Sequence, residues 1–135
     1  MDNKSAVVAA WAERLFFQAA DLWVKAIPRT APSNEKLKAC RLIAHRGVYD
    51  NRAILENSLK AFDRALSAGI WGIELDIRWT KDRAPVVIHD PDCRRLHARD
   101  IVIAETFLDE LKESLPEIPT LEQVILRYGR KLHLM

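Results

Sequence analysis

The spacing of apolar residues changes abruptly along this chain. From residue 4 to residue 26, Val8, Trp11, Leu15, Ala19, Leu22 and Trp23 recur at three- and four-residue steps, with Arg14, Gln18, Asp21 and Lys25 opposite them. That is the period of an amphipathic helix. Pro28, Pro32 and the polar residues through Asn34 break it and predict a linker. From Arg41 the runs are shorter. Arg41 to His45 reads as a buried strand, and Glu56 to Ala68 as a helix with Leu59, Phe62, Ala65 and Leu66 on one face and Gly69 as its stop. Trp71 to Ile77 and Pro85 to His89 read as strands joined by a turn at Thr80 to Arg83. Thr106 to Leu115 and Leu121 to Tyr128 read as helices, and Lys131 to Met135 opens another strand.

Strand, helix, strand, strand, helix, strand predicts an α/β fold with a largely parallel sheet, residues 41–135, preceded by a helical extension and linker, residues 1–40. One link is short. Eight residues, Ile77 to Ala84, separate the second and third strands, against the dozen or so of a usual crossover. An extended return of up to about 3.5 Å per residue predicts that the chain comes back and starts again in parallel.

Charge narrows the function classes. The formal charge is +2 over 135 residues, and the basic residues make only short pairs such as Arg94-Arg95, so no nucleic-acid surface is expected. The N-terminal helix carries Glu13, Arg14, Asp21 and Lys25, which argues against a transmembrane span. It also lacks the unbroken apolar stretch of a signal peptide. Packing on the following domain or on a partner subunit is the expected role of its apolar face, with membrane-surface contact as the alternative. Two cysteines, Cys40 and Cys93, form no disulfide framework and point to a reduced, cytoplasmic setting.

Polar residues gather at the predicted strand ends: His45 and Arg46, then Glu74 and Asp76, then His89 and Asp90. Sites in parallel α/β folds are built at that end, from several strands. Glu74 and Asp76 are two apart and leave one face of their strand, while Ile73, Leu75 and Ile77 leave the other. Two carboxylates aimed together call for a cation or protons between them, and oxygen donors suit Mg²⁺ or Ca²⁺.

The pieces Ile43-Ala44-His45-Arg46-Gly47, Glu56-Asn57-Ser58-Leu59, Ile73-Glu74-Leu75-Asp76, Thr80-Lys81-Asp82 and Pro85 to Asp90 occur in order. From Arg41 onward the chain resembles the glycerophosphodiester phosphodiesterase family. The resemblance implies the N-terminal part of a TIM-type (β/α)₈ barrel, incomplete in this chain, and hydrolysis of a glycerophosphodiester to an alcohol and glycerol phosphate with a divalent cation, Mg²⁺ or Ca²⁺. It implies that His45 and His89 are the acid–base pair, that Arg46 clamps the phosphate and that Glu74 and Asp76 hold the metal. Glu56 and Asn57 would support them, Asn57 as a loop brace. Leu55 and Ser58 stand where the family usually has proline and threonine, and Arg83 where glycine is common. A third metal-binding glutamate of the family would fall just past Met135. The isolated chain is therefore expected to turn over poorly and to self-associate. A related barrel phospholipase acting on lipid, or a non-catalytic binding or assembly fragment, are the other readings. His97 is expected to be exposed, His133 structural, and Trp11, Trp23, Trp71 and Trp79 to serve packing.

Overall fold

The structure, a computed structural model, describes residues 3–27 and 31–135. It comprises two compact units, Met1–Ala39 and Cys40–Met135. In the first, helix α1 (Asn3–Ala26) carries the expected apolar stripe; Trp11, Leu15, Leu22 and Trp23 are exposed. The side chain of Val8 and the break at Pro28 lie outside the described residues. A short helix, α2 (Asn34–Lys38), occupies part of the expected linker. Ser33 caps it, its hydroxyl accepting from the Lys36 amide. No helix among the described residues is long and apolar enough to cross a membrane.

The second unit is mixed α/β. Strands β1 (Ile43–His45), β2 (Gly72–Glu74) and β5 (His133–Leu134) form a parallel sheet in the order β1-β2-β5. Helix α3 (Leu59–Ser67) makes the crossover from β1 to β2. It starts later than its periodicity suggests, because Ser58 caps it through the Ala61 amide and leaves Glu56 and Asn57 in the loop. Gly69 then takes the left-handed conformation that ends the helix, φ 68°. The buried face of α3, Phe62 and Ala65, packs with Ile73 and Leu75 of the sheet and with Val124 and Tyr128 of α6 (Leu121–Tyr128). Strand β1 is less buried than its apolar run predicts. Leu42 and Ile43 are 60% and 41% exposed, because β1 lies at the edge of this sheet.

The expected parallel return is not what forms. The run Trp71 to Ile77 breaks after Glu74, and β3 (Ile77–Trp79) pairs antiparallel with β4 (Pro85–Val87). The turn explains the reversal. Thr80 and Ala84 face each other across it, the Thr80 amide donating to the Ala84 carbonyl and the Ala84 amide to Thr80 Oγ1. Arg83 sits at φ 62°, the left-handed value such a tight turn demands. The link is a hairpin, which needs no crossover. Alternation along β4 then divides its side chains between two cores. Val87 joins Phe62 and Ile73, while Val86 and Ile88 join Ile103, Leu111, Leu115 and Ile118 around α5 (Leu108–Ser114). Between β4 and α5 lie two further short turns of helix, α4 (Arg94–His97) and a 3-10 turn (Ile103–Glu105), which periodicity did not reveal.

Candidate active site

The first part of the site is made by a sharp turn. After β1 the chain enters left-handed backbone at Arg46, φ 57°, and Gly47, φ 87°. Gly47 is required there for space as well: a Cβ would lie 2.8 Å from Ala61 Cβ. The turn is held by the Arg46 amide, which donates to the Glu74 carbonyl, and by the Asn57 amide, which donates back to the Arg46 carbonyl. Asn57 is itself left-handed at φ 55°. Left-handed non-glycine residues cost about 1–3 kcal/mol each and persist where their surroundings over-determine them.

That geometry joins four of the seven candidate residues, Arg46, Glu56, Asn57 and Asp76, in one cluster, with Glu74 and His45 paired separately. Arg46 Nη1 donates to Glu56 Oε1 at 3.0 Å, and Arg46 Nε lies 3.1 Å from Asp76 Oδ2. Asn57 braces Asp76 twice, donating through Nδ2 to Oδ2 at 3.0 Å and accepting the Asp76 amide on Oδ1 at 3.3 Å. Glu74 lies beside His45, with Nε2 3.8 Å from Oε2. Ile73 and Leu75 face the core, so Glu74 and Asp76 leave the opposite face of the chain. Ile77, expected to face the core too, is 42% exposed because it already belongs to the hairpin.

His89 follows β4 and is linked to the cluster through other residues. Its Nδ1 lies 2.7 Å from Asp90 Oδ1. Hydrogen bonds from Arg95 hold the Asp90 carboxyl at about 2 against its partial burial, so Asp90 is an ionised acceptor and Nδ1 must donate. In the neutral ring the Nε2 lone pair is then left for chemistry. Arg78 fixes the backbone, donating through Nε and Nη2 to the His89 carbonyl at 2.9 and 2.8 Å.

Arg95 reaches Glu56 as well, donating through Nη2 to Oε1 at 2.6 Å. The Glu56 side chain is only 3% exposed. Burial opposes its charge, and hydrogen bonds from Arg95, Asn51 and Arg46 outweigh that and hold its carboxyl at about 2. Sequence reading missed Arg95, Arg78 and Asn51. Their partners lie 39, 11 and 5 residues away, and none belongs to a periodic or motif-like pattern.

The fit to a divalent cation can be tested on one atom. Glu74 Oε2 is buried without a hydrogen-bond partner among the described residues, whereas Arg46 Nε, which also makes no hydrogen bond, keeps Asp76 Oδ2 as its ion-pair partner at 3.1 Å. No group of three or more His, Cys, Asp or Glu side chains is arranged around a metal position among the described residues. Mg²⁺, however, is commonly held by one or two carboxylates together with water and substrate phosphate, and Glu74 with Asp76 fits that donor set.

The family model for the glycerophosphoryl diester phosphodiesterase family matches residues 45–133, a span containing every residue of this cluster. The chain belongs to that family. A glycerophosphodiester phosphodiesterase of Caldanaerobacter subterraneus is 42% identical over 72 residues, 53% of this chain and 29% of that protein. A crystal structure of the Thermotoga maritima glycerophosphodiester phosphodiesterase superposes with TM-score 0.64 at 38% identity, covering 70% of this chain and 41% of the other. A phosphodiesterase of Oleispira antarctica, solved with its product sn-glycerol-3-phosphate, gives TM-score 0.61 at 30% identity, with 70% and 42% covered. The chain thus spans less than half the length of these relatives.

Membership of the phosphodiesterase family also sorts the remaining features. A cavity of about 510 Å³ lined by Arg52, Leu55, Lys60, Leu96 and Pro119 touches none of His45, Arg46, Glu74, Asp76 or His89; the candidate chemistry sits at the strand ends. His97, expected in solvent, has a side chain only 7% exposed and pairs with Glu117 at 3.0 Å. The reason is α4, which turns it inward. His133 stacks on Trp71, ring centroids 4.3 Å apart. Trp79, expected to pack, is 59% exposed on the hairpin.

Proposed function

We propose that this chain carries the phosphate-binding and acid–base half of a metal-dependent phosphodiesterase that cleaves glycerophosphodiesters into an alcohol and glycerol phosphate. The observation that carries this reading is Glu74 Oε2, a buried carboxylate oxygen with no hydrogen-bond donor among the described residues, on the same face of the chain as Asp76. A divalent cation shared with a substrate phosphate would satisfy it. The parallel strands β1, β2 and β5 are read as part of a TIM-type barrel, with the site at their C-terminal ends.

Glu74 and Asp76 would hold Mg²⁺ or Ca²⁺, which when bound neutralises charge on the phosphoryl oxygens. Arg46 grips the phosphate through its planar fork, already oriented by Glu56. His89, with Nδ1–H on Asp90, takes the proton of the attacking oxygen on Nε2. His45 gives its proton to the departing alkoxide as the phosphorus–oxygen bond breaks. The attacking oxygen is a water or a neighbouring hydroxyl of the substrate. Both histidines are reachable, with side chains 65% and 41% exposed.

A second reading has its own observation. No three His, Cys, Asp or Glu side chains among the described residues are grouped to hold a metal, which favours a binding or assembly role for the chain alone. Turnover separates the two. Glycerol phosphate released from a glycerophosphodiester in Mg²⁺ or Ca²⁺, and lost in H89A and R46A, supports catalysis. Release that persists in H89A, or that needs no divalent cation, contradicts it.

A further inference from the structure

Arg95 has no place in the chemistry described above, yet it stands between its two halves. On one side Nε and Nη2 donate to Asp90 at 2.6 and 3.1 Å, and Asp90 holds His89. On the other side Nη2 and Nη1 donate to Glu56 at 2.6 and 3.4 Å, and Glu56 holds Arg46. The result is an unbroken path, His89–Asp90–Arg95–Glu56–Arg46, joining the loop after β4 to the turn after β1. Backbone hydrogen bonds such as Ile88 to Asp76 hold the end of β4 beside the chain after β2 and do not reach the imidazole or the guanidinium.

We propose that Arg95 is a positioning residue that ties the His89 imidazole to the Arg46 guanidinium, so that proton transfer and phosphate binding share one fixed geometry. Its catalytic use rests on the phosphodiesterase reading; the coupling is a property of the folded chain by itself. A planar fork is needed because two carboxylates from different segments must be gripped in defined directions. Lysine keeps the charge but has no fork. Glu56 is nearly buried and shares Oε1 between Arg95 and Arg46, while Oε2 accepts from Asn51, so loss of one cation leaves the other alone on Oε1 and shifts its direction.

The test is NMR of the ¹⁵N-labelled 135-residue chain, reading the His89 ring tautomer and the Arg46 Nε–H signal in wild type, R95Q and R95K. Wild type should show Nδ1–H on His89. In R95Q both reporters should change although Arg95 touches neither: His89 becomes a mixture of tautomers, and the Arg46 Nε–H signal shifts as its guanidinium turns toward the Glu56 oxygen that Arg95 no longer shares. R95K should follow R95Q rather than wild type. Unchanged Phe62 and Tyr128 signals show that the core is kept, and if R95Q does not fold, R95K decides. Wild-type signals at both reporters in R95Q, or full rescue by R95K, would overturn the proposal. Failure of wild type to cleave phosphodiesters would count against the functional reading alone, since both reporters remain readable.

Discussion

The ends of β1 and β4 each present a histidine, and they hold it differently. His45 leaves an edge strand, is 65% exposed, and has one neighbouring carboxylate at 3.8 Å, beyond hydrogen-bond distance. His89 follows the hairpin, has its carbonyl gripped by Arg78 and its ring by Asp90, and is connected through Arg95 to the buried Glu56. The difference is one of preorganisation. In the proposed roles, a base must already have its lone pair aimed when the nucleophile arrives, whereas an acid beside an open strand end can be ordered by the substrate it protonates.

The largest effects should come from the histidines. On the proposed phosphodiesterase reading, in the full-length parent or in this chain complemented by its missing half, H45A and H89A should each lower turnover by about 10²–10⁴-fold, and the double variant should lose much less than the product, since the two act as a unit. D90N sharpens the comparison, because of these two histidines only His89 has such a partner. Turnover should fall by about 10²-fold or more, as when a tautomer is no longer fixed, with divalent binding unchanged. A pH–rate profile and calorimetry on the same sample check both statements.

Next in size are effects on stability. F62A removes the ring between α3 and the sheet and should cost about 3–5 kcal/mol by denaturant unfolding. Acid probes the braced region. Glu56 and Asp90 titrate at about 2 in the folded chain, below their values in the unfolded one. Their contribution is therefore present above about pH 4 and is lost as pH falls toward 2, on the order of 2–3 kcal/mol for each. In R95Q that acid-dependent loss should shrink. H45A should leave it unaltered, which separates the two regions by stability as well as by rate. The smallest effect is R83G, which relieves left-handed backbone at the hairpin turn and should raise stability by about 1 kcal/mol.

What could be read from the sequence follows the same division. The residues around His45 were legible because each sits at the end of a short apolar run, and Glu74 and Asp76 because alternation puts them on the face opposite Ile73 and Leu75. The helices α3, α5 and α6 were legible from their period. The bracing of His89 was not. It depends on Arg95 folding back across 39 residues to Glu56, and in sequence Arg95 is one of several charges between Arg94 and Asp100. The hairpin was misread for a related reason. Trp71 to Ile77 is one continuous apolar alternation, and nothing in it marks the change of partner after Glu74, where β2 leaves the parallel sheet.

Calorimetric titration of Mg²⁺ or Ca²⁺ into wild type, E74A and H89A tests the central assignment most directly, because it separates carboxylates that hold a cation from histidines that move protons. The account predicts binding in wild type, about tenfold or greater weakening in E74A, and near-wild-type affinity in H89A. Affinity unchanged in E74A, or abolished in H89A, would contradict it and make the histidine a ligand.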